Sequence, residues 1–362
     1  VPVYVCSAHL DVARFSRYGA RHFRLPRGGN GAGLLEFLLG LAEREGLAGW
    51  LLVPNYDEQV EFISAHRGTL GGLFHLAVPD ERAVRIVADK RLTYDFAREH
   101  GVPVPLTWTP ASLEEVAQLG CEFPAVIKPA RRQPFFRLTG RKAYRANDRE
   151  ELVALCRRLS GIVPLSQLMV QELIPGGPRN LYSFAALASG GEVLAWLVAE
   201  RRRQHPMDFG RATTYARTVR NPALEELGRR LLKLLAFDGL AEVEFMRDPR
   251  DGDYKFLEIN ARIWGWHSLG AAAGVDFPYL LFQHASRRPL TPAAYREDAR
   301  WVRLLTDLPT VLHEFLRGRV CLREVLSSYR GLRKCDAVYA GDDPLPFFME
   351  ILLLPYLIGK KR

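Results

Sequence analysis

The densest chemistry in the sequence lies in AEVEFMRDPRDGDYKFLEINAR, residues 241–262. The turn formers Asp248, Pro249, Asp251, Gly252 and Asp253 separate two strand-like runs, as in a hairpin. Side chains alternate faces along a strand, so Glu242 and Glu244 share a face, and Glu258, Asn260 and Arg262 share one on the returning strand. An even register sets Glu244 across from Glu258, with Cβ atoms ~5 Å apart. Two carboxylates so placed repel, and a divalent cation between them removes the repulsion. Mg²⁺ takes one or two carboxylates, water and the phosphates of a substrate. Asn260 adds a neutral oxygen, and Arg262 a cation where phosphate charge would sit. A surface hairpin with solvated charges is the competing reading. The flanking Phe256, Leu257 and Ile259 leave one face apolar.

Three other segments carry groups of interest. In FPAVIKPA, Lys128 ends an apolar strand just before Pro129. Its ammonium either snorkels into water or serves as a point charge for phosphate in a cleft. Lys90, on a helix upstream, is a second cation of this kind. In VQELIPGG, a strand edge with Gln171, Glu172 and Leu173 runs into the Pro175-Gly176-Gly177 hinge. Such an edge offers the donor, acceptor and apolar wall that adenine needs, or is simply a strand end and a turn. In ERRRQHPMDFGRATTYAR, Arg201, Arg202, Arg203 and Gln204 could receive an acidic group, with Gly210 to Thr214 as a flexible loop. A solvated strand end explains the same basic run.

The elements needed to hold these groups can be read from periodicity. Up to about residue 88, the runs VYVCS, GWLLVP and GLFHLAVP alternate with the helical stretches GLLEFLLGLAERE and YDEQVEFISAHR. That alternation implies a parallel sheet flanked by helices. ERAVRIVADKRLTYDFAREHG reads as one helix, ended by Gly101 and the prolines after it. SLEEVAQLG and REELVALCRRLS read as helices around the strands FPAVIKPA and KAYRAND. From Leu168 the strands LMVQELI, YSFAALAS and EVLAWLVAERR form an antiparallel set. The amphipathic helix NPALEELGRRLLKLLAFDG, closed by Gly239, leads to the acidic hairpin. From about Pro289 the chain reads as helical and irregular, with no evident chemistry.

Composition narrows the classes. The chain has 362 residues, 48% of them hydrophobic and 25% charged, which suits a folded protein of two or three lobes. The net charge of +9 is spread along the chain, and no nucleic-acid partner is expected from it; an anionic small substrate explains it as well. Five scattered cysteines without CxxC spacing speak against a disulfide framework or a zinc site and for a reducing cytoplasm. The start VPVYVCSAHLD has no secretory signal pattern. No apolar run reaches the ~20 residues of a spanning helix. The C-terminal stretch PFFMEILLLPYLIGKKR reads as a packed terminal helix; its Lys360-Lys361-Arg362 end allows a peripheral membrane contact.

Taken in order, Lys90, Lys128, the Gln171-Glu172 edge and the acidic hairpin resemble the ATP-grasp superfamily, with LEINAR, FPAVIKP and QELIPGG as the specific combination. The segment from Asp89 to Ala285 carries the likeness. The chain is most similar to the carboxylate–amine ligase branch, which includes D-aspartate ligases and is related to carbamoyl-phosphate synthase and biotin carboxylase. The resemblance implies an α/β and α+β protein: a Rossmann-like lobe over 1–88, a small ATP-grasp lobe over 89–168, a large lobe over 169–290 and a C-terminal extension over 291–362. It implies ATP and one or two Mg²⁺ ions, for which Mn²⁺ can substitute. Lys90, Lys128 and Lys142 would hold phosphates. Gln171, Glu172 and Leu173 would meet adenine. Glu244, Glu258 and Asn260 would bind metal, and Arg262 would stabilise the transferring phosphoryl group. Arg201, Arg203 and Gln204 are the candidate substrate contacts. The activity implied is ADP-forming amide-bond formation between a small-molecule carboxylate and an amine, with a homodimer allowed. A non-catalytic nucleotide-binding regulator and a small-molecule kinase are the alternatives.

The sequence departs from the family pattern in three places. The stretch ARRQPFFRLTGRKAY has only Gly140 where relatives carry a glycine-rich loop, leaving Arg137 and Lys142 to serve. The position of a ribose-binding acid reads Gly177-Pro178-Arg179. A strand and a glycine-bearing turn are expected ahead of Val1, so one βα unit is expected to be missing, or to come from a partner or an upstream segment.

Overall fold

The computed structural model describes residues 1–26, 31–131, 135–210, 212–290, 294–330 and 334–359. The first lobe contains β1 (Val3–Ser7) paired in parallel with β2 (Gly19–Arg24), and β3 (Trp50–Leu52) paired in parallel with β4 (Phe74–Leu76). β2 is absent from the sequence reading because GARHFR lacks apolar alternation; it is fastened instead by Phe23, whose ring lies 5.7 Å from that of Tyr4 on β1. The helices Ala32–Glu45 and Asp57–Ala65 fall where periodicity placed them. The expected single helix from Glu81 is two, Glu81–Ala88 and Lys90–Glu99. Asp89 breaks it: extended there, its carboxylate accepts from Arg91 N at 3.0 Å and caps the second helix.

The small lobe is an antiparallel sheet of β5 (Thr107–Trp108), β6 (Ala125–Pro129), β7 (Tyr144–Ala146) and β8 (Leu168–Glu172), in the order β5-β8-β6-β7. The helix Arg149–Ser160 covers one face, and Leu152, Cys156, Ile127 and Phe135 form a core of its own. Ser112 and Asp148 cap the lobe's helices, as their N-terminal positions lead one to expect.

The large lobe is a seven-stranded sheet of β9 (Leu181–Ser189), β10 (Glu192–His205), β11 (Ala212–Thr218), β12 (Gly239–Arg247), β13 (Tyr254–Asn260), β14 (Arg300–Val302) and β15 (Lys334–Asp336). Its order is β13-β12-β9-β10-β11-β14-β15. Thus the C-terminal region is not simply appended: β14 and β15 extend the sheet beyond β11. Gly239 does not stop the preceding helix, which runs Pro222–Leu234 and caps at Leu235. It opens β12 at φ +94, where a Cβ would stand 2.2 Å from Ala77 O, so glycine is required by both conformation and space.

One face of this sheet shares a core with the first lobe. Phe184, Val243, Phe245 and Phe256 belong to the same apolar cluster as Leu38, Leu41, Val60 and Leu70. The opposite face packs Trp264, Trp266, Phe277 and Trp301. The first and large lobes are therefore joined by a continuous core, whereas the small lobe has its own core and runs into the large lobe through Pro175–Gly177. At that hinge Gly176 has φ +99, and a Cβ there would collide with the side chain of Asn180. Truncating a side chain such as Phe184 to alanine removes a fully buried ring from the shared core, at a cost of about 3–5 kcal/mol.

Candidate functional site

The hairpin register brings the acidic residues together as alternation required. Glu244 pairs with Glu258, and Glu242 with Asn260. Glu242 is almost wholly buried, and its carboxylate collects four donors: Trp266 Nε1 at 2.8 Å, Ser183 Oγ at 2.9 Å, Asn260 Nδ2 at 3.2 Å and Arg201 Nη1 at 3.4 Å. Burial, reinforced by the neighbouring Glu244 charge, pushes its pKa up to about 7 despite Arg201. Arg201 reaches across from β10 and grips Glu244 with both terminal nitrogens, Nη1 to Oε1 at 2.9 Å and Nη2 to Oε2. Burial opposes the charge on Arg201, but Glu244 and Glu242 outweigh it and hold the guanidinium firmly protonated.

Lys90, at the start of its helix, reaches Glu258 with Nζ 2.5 Å from Oε2. Burial opposes its charge too, and the Glu258 carboxylate more than offsets that. Arg262 donates from Nε to Asp57 Oδ1 at 2.6 Å and from Nη2 to Asn260 Oδ1 at 3.2 Å, tying the hairpin to the first lobe. The amide nitrogen of Asn260 donates to Glu244 at 2.9 Å as well as to Glu242, so its oxygen faces Arg262.

These groups line a cleft of about 1600 Å³ between the small and large lobes. Lys90, Lys128, Lys142, Gln171, Glu172, Leu173, Arg201, Gln204, Glu244, Glu258, Asn260 and Arg262 all border it. Arg203 does not. A register shift in β10 between Glu200 and Arg203 turns its side chain to the other side of the sheet. There it is buried, donates to Asp307 from Nε at 2.9 Å and from Nη2 at 2.7 Å, and stacks 4.3 Å from the Tyr215 ring centroid. Losing one partner of such a buried pair costs about 3–5 kcal/mol, so Arg203 belongs to the scaffold.

Beside β8 the cleft has apolar walls from Val126, Ile174, Met246 and Leu257. Lys128 Nζ donates to Tyr94 OH at 2.6 Å, and that hydroxyl donates to Leu257 O at 3.0 Å. Gln171 is buried and donates to Thr107 Oγ1 at 2.7 Å. Glu172 accepts from Leu106 N at 2.7 Å and pairs with Arg250 Nη2 at 2.5 Å. Lys142 Nζ donates to Gly210 O at 2.8 Å, bridging the small lobe to the loop after β10. Gln204 Nε2 donates to Met207 O at 2.8 Å within that loop. Arg137, the other cation offered in place of a glycine-rich loop, is exposed. Residues 132–134 of that stretch, and Arg211 of the loop, lie outside the described residues.

Sequence reasoning missed several residues of this network. Tyr94 lies one helical turn after Lys90, a spacing that could have flagged it. Asp57, Ser183, Trp266, Arg250 and Arg303 are brought in by tertiary contacts across 24 to 205 residues of sequence, for which the sequence carries no local signal.

Two carboxylates and an amide on facing strands are a hard-oxygen donor set, and this fits Mg²⁺. Among the described residues no group of three or more His, Cys, Asp or Glu is arranged to hold a metal by itself. Lys90 and Arg201 balance the two carboxylates in this state, so the positive charge the site requires is supplied by the protein.

Comparison with known proteins bears on the fold. Residues 164–306 match the model of a family described as ATP-grasp in the biosynthetic pathway with Ter operon. The chain is 26% identical over 226 residues to the D-aspartate ligase of Enterococcus faecium (strain Aus0004), covering 59% of this chain and 53% of that one. It thus spans about half the length of that relative. Among solved structures it superposes on a biotin carboxylase–β,γ-ATP complex from Campylobacter jejuni with a TM-score of 0.64 at 14% identity, over 82% of this chain and 74% of that one. It superposes on an L-amino acid ligase from Bacillus licheniformis with a TM-score of 0.55 at 16% identity, over 74% and 63% of the two chains. The fold is the ATP-grasp fold, and the likeness read from LEINAR, FPAVIKP and QELIPGG to the ATP-grasp superfamily is borne out.

Proposed function

We propose that this ATP-grasp chain is an ADP-forming carboxylate–amine ligase that works through an acyl phosphate. The observation that supports this reading best is the facing pair Glu244–Glu258, set in the interlobe cleft with Lys90, Arg201 and Arg262 around it. A site for adenine binding alone has no need of two opposed carboxylates at its far end. Glu244 and Glu258, with Asn260, would hold Mg²⁺, which when bound offsets repulsion between the γ-phosphate and an incoming carboxylate.

The chain's own groups account for the rest. Lys90 and Lys128 shift from Glu258 and Tyr94 onto the phosphates when ATP enters. Leu173 and the apolar walls receive adenine at the hinge. A carboxylate oxygen of the substrate attacks the γ-phosphorus, the bond to the β-phosphate oxygen breaks, and ADP leaves. Arg262, anchored by Asp57, is placed to stabilise the charge on the transferring group. The amine then attacks the acyl carbon, loses a proton, and phosphate departs with the bonding electrons. Closure of the small lobe over the hinge keeps water from the acyl phosphate.

The substrate class we infer is an amino acid. Cations flank the metal end, with Arg303 also lining the cleft, and the ligases it resembles are named for amino acids. One observation favours a non-catalytic nucleotide-binding protein: Arg201 already engages both oxygens of Glu244. The two readings separate in an ADP-release screen over pairs of D- and L-amino acids, with mass spectrometry of the products. Phosphate release that requires both a carboxylate and an amine supports the ligase. ATP binding without turnover across the screen supports the regulator, and transfer to a stable phosphoester supports a kinase.

A further inference from the structure

Two helices of the C-terminal region are built inside out. In Leu304–Leu316 the buried positions are Asp307, Thr310, Val311 and Glu314, while Leu308, Leu312, Phe315 and Leu316 form the stripe opposite. Asp307 is 0% exposed and Leu316 76% exposed, the reverse of the usual partition. In Leu345–Leu352 the buried positions are Pro346 and Glu350, and Leu345, Phe348, Ile351 and Leu352 are exposed. The inward acids explain the inversion. Asp307 receives the Arg203 guanidinium, and Glu350 pairs with Arg303 at the root of the first helix. Each helix is thus turned over by an arginine of the large lobe, and the Arg303–Glu350 pair joins them.

Exposed apolar residues scattered singly need no explanation, but two such stripes on helices joined by an ion pair call for a cover. The pattern is that of a helix lying in the plane of a membrane interface. No described helix is long and apolar enough to cross a membrane.

The charge around these stripes identifies the cover. The helix Leu322–Ser328 packs on the first through Val311, Val320 and Val325. On this unit Arg317, Arg323 and Arg330 are exposed, and the exposed Arg319 pairs with Glu314. Among the described side chains from 304 to 353, Asp307, Glu314, Asp343 and Glu350 are buried. Asp336 accepts from the backbone of Leu304, Val338 and Tyr339, and the exposed Asp342 accepts from Tyr18 OH. The rim is therefore cationic. It complements anionic headgroups, whereas a second copy would set two cationic rims against each other.

We propose that this face docks on an anionic membrane surface, with the leucine and phenylalanine stripes at the acyl–headgroup boundary and the arginines at the lipid phosphates. The test is co-sedimentation of the full chain with phosphatidylcholine vesicles, with and without phosphatidylglycerol. Binding is expected to the vesicles containing phosphatidylglycerol and to weaken as salt rises. Leu312→Ser with Leu316→Ser is expected to weaken it about tenfold or more. Arg317→Glu with Arg323→Glu is expected to abolish the preference for phosphatidylglycerol. Leu316→Ser alone, at a highly exposed position, provides a variant that keeps the fold, checked by circular dichroism and by unchanged ATP affinity. Absence of binding to either vesicle overturns the proposal. So does a dimer that the leucine variants dissociate, which would assign the face to a second copy.

Discussion

The acidic hairpin and the hinge strand β8 border the same cleft and use their carboxylates in opposite ways. On β12 and β13, Glu244 and Glu258 converge from facing strands and are balanced by Arg201 and Lys90, cations from other elements that line the same cleft. On β8, Glu172 is bound into the scaffold by Leu106 N and by Arg250, itself held by Asp248. Opposed like charges need cations to be stable, and here these come from Arg201 and Lys90, side chains that border the cleft and can turn to a ligand. A carboxylate whose oxygens are met by a backbone amide and a fixed arginine is stable without one. The hairpin is accordingly where chemistry is expected, whereas Glu172 belongs to the scaffold.

Substitutions on the two regions should separate by size of effect. Glu258→Gln removes one of the opposed charges and should lower ADP formation about a thousandfold with the fold retained, measured by coupled ADP release and circular dichroism. ATP turnover at the normal rate would remove the hairpin from the metal site. Lys128→Ala should weaken ATP binding about ten- to a hundredfold by calorimetry, the loss of a charge-assisted phosphate contact; unchanged affinity would leave Lys128 as a structural partner of Tyr94 alone.

Glu242 supplies a stability signature. Its folded pKa of about 7 lies above the ordinary 4.5, so the folded state holds a proton that the unfolded state has released between those values. The stability this proton contributes is complete below 4.5 and is lost as pH rises through about 7. Glu242→Gln has no such dependence. Its stability relative to the parent should improve on going from pH 5 to 8, by on the order of 1–3 kcal/mol in urea unfolding, and a pH-independent difference would contradict the burial account.

The smallest effects belong to the hinge. Glu172→Ala and Arg250→Ala should each change ATP affinity less than about threefold and, as the partners of one half-exposed pair, combine non-additively in a double-mutant cycle. A large loss from Glu172→Ala alone would give that carboxylate a direct role in adenine binding and erase the contrast with the hairpin.

The hairpin was legible because period-2 alternation and a tight turn fix the register, so a local pattern determines which carboxylates face each other. The hinge was legible as a place but not as a set of partners, because Arg250 meets Glu172 across 78 residues. Arg203 misled for a related reason. A bulge in β10 shifts the alternation just before it, and nothing in the run of three arginines shows where it falls. In the C-terminal region the inverted helices hid β14 and β15: three-residue strands have too little pattern to register, and an outward apolar stripe reads like a core. Its last residues, Lys360, Lys361 and Arg362, lie outside the described residues.

The claim on which the rest depends is that the facing pair on β12 and β13 serves a metal-bound nucleotide. Calorimetric titration of ATP into the chain, with and without Mg²⁺, measures this in one experiment when repeated on Glu258→Gln. The expected result is one site that Mg²⁺ tightens about tenfold or more in the parent chain, and that Mg²⁺ leaves nearly unchanged in the variant. Equal affinity with and without Mg²⁺ in the parent, or the same Mg²⁺ dependence in both proteins, would show that Glu258 takes no part in holding the metal.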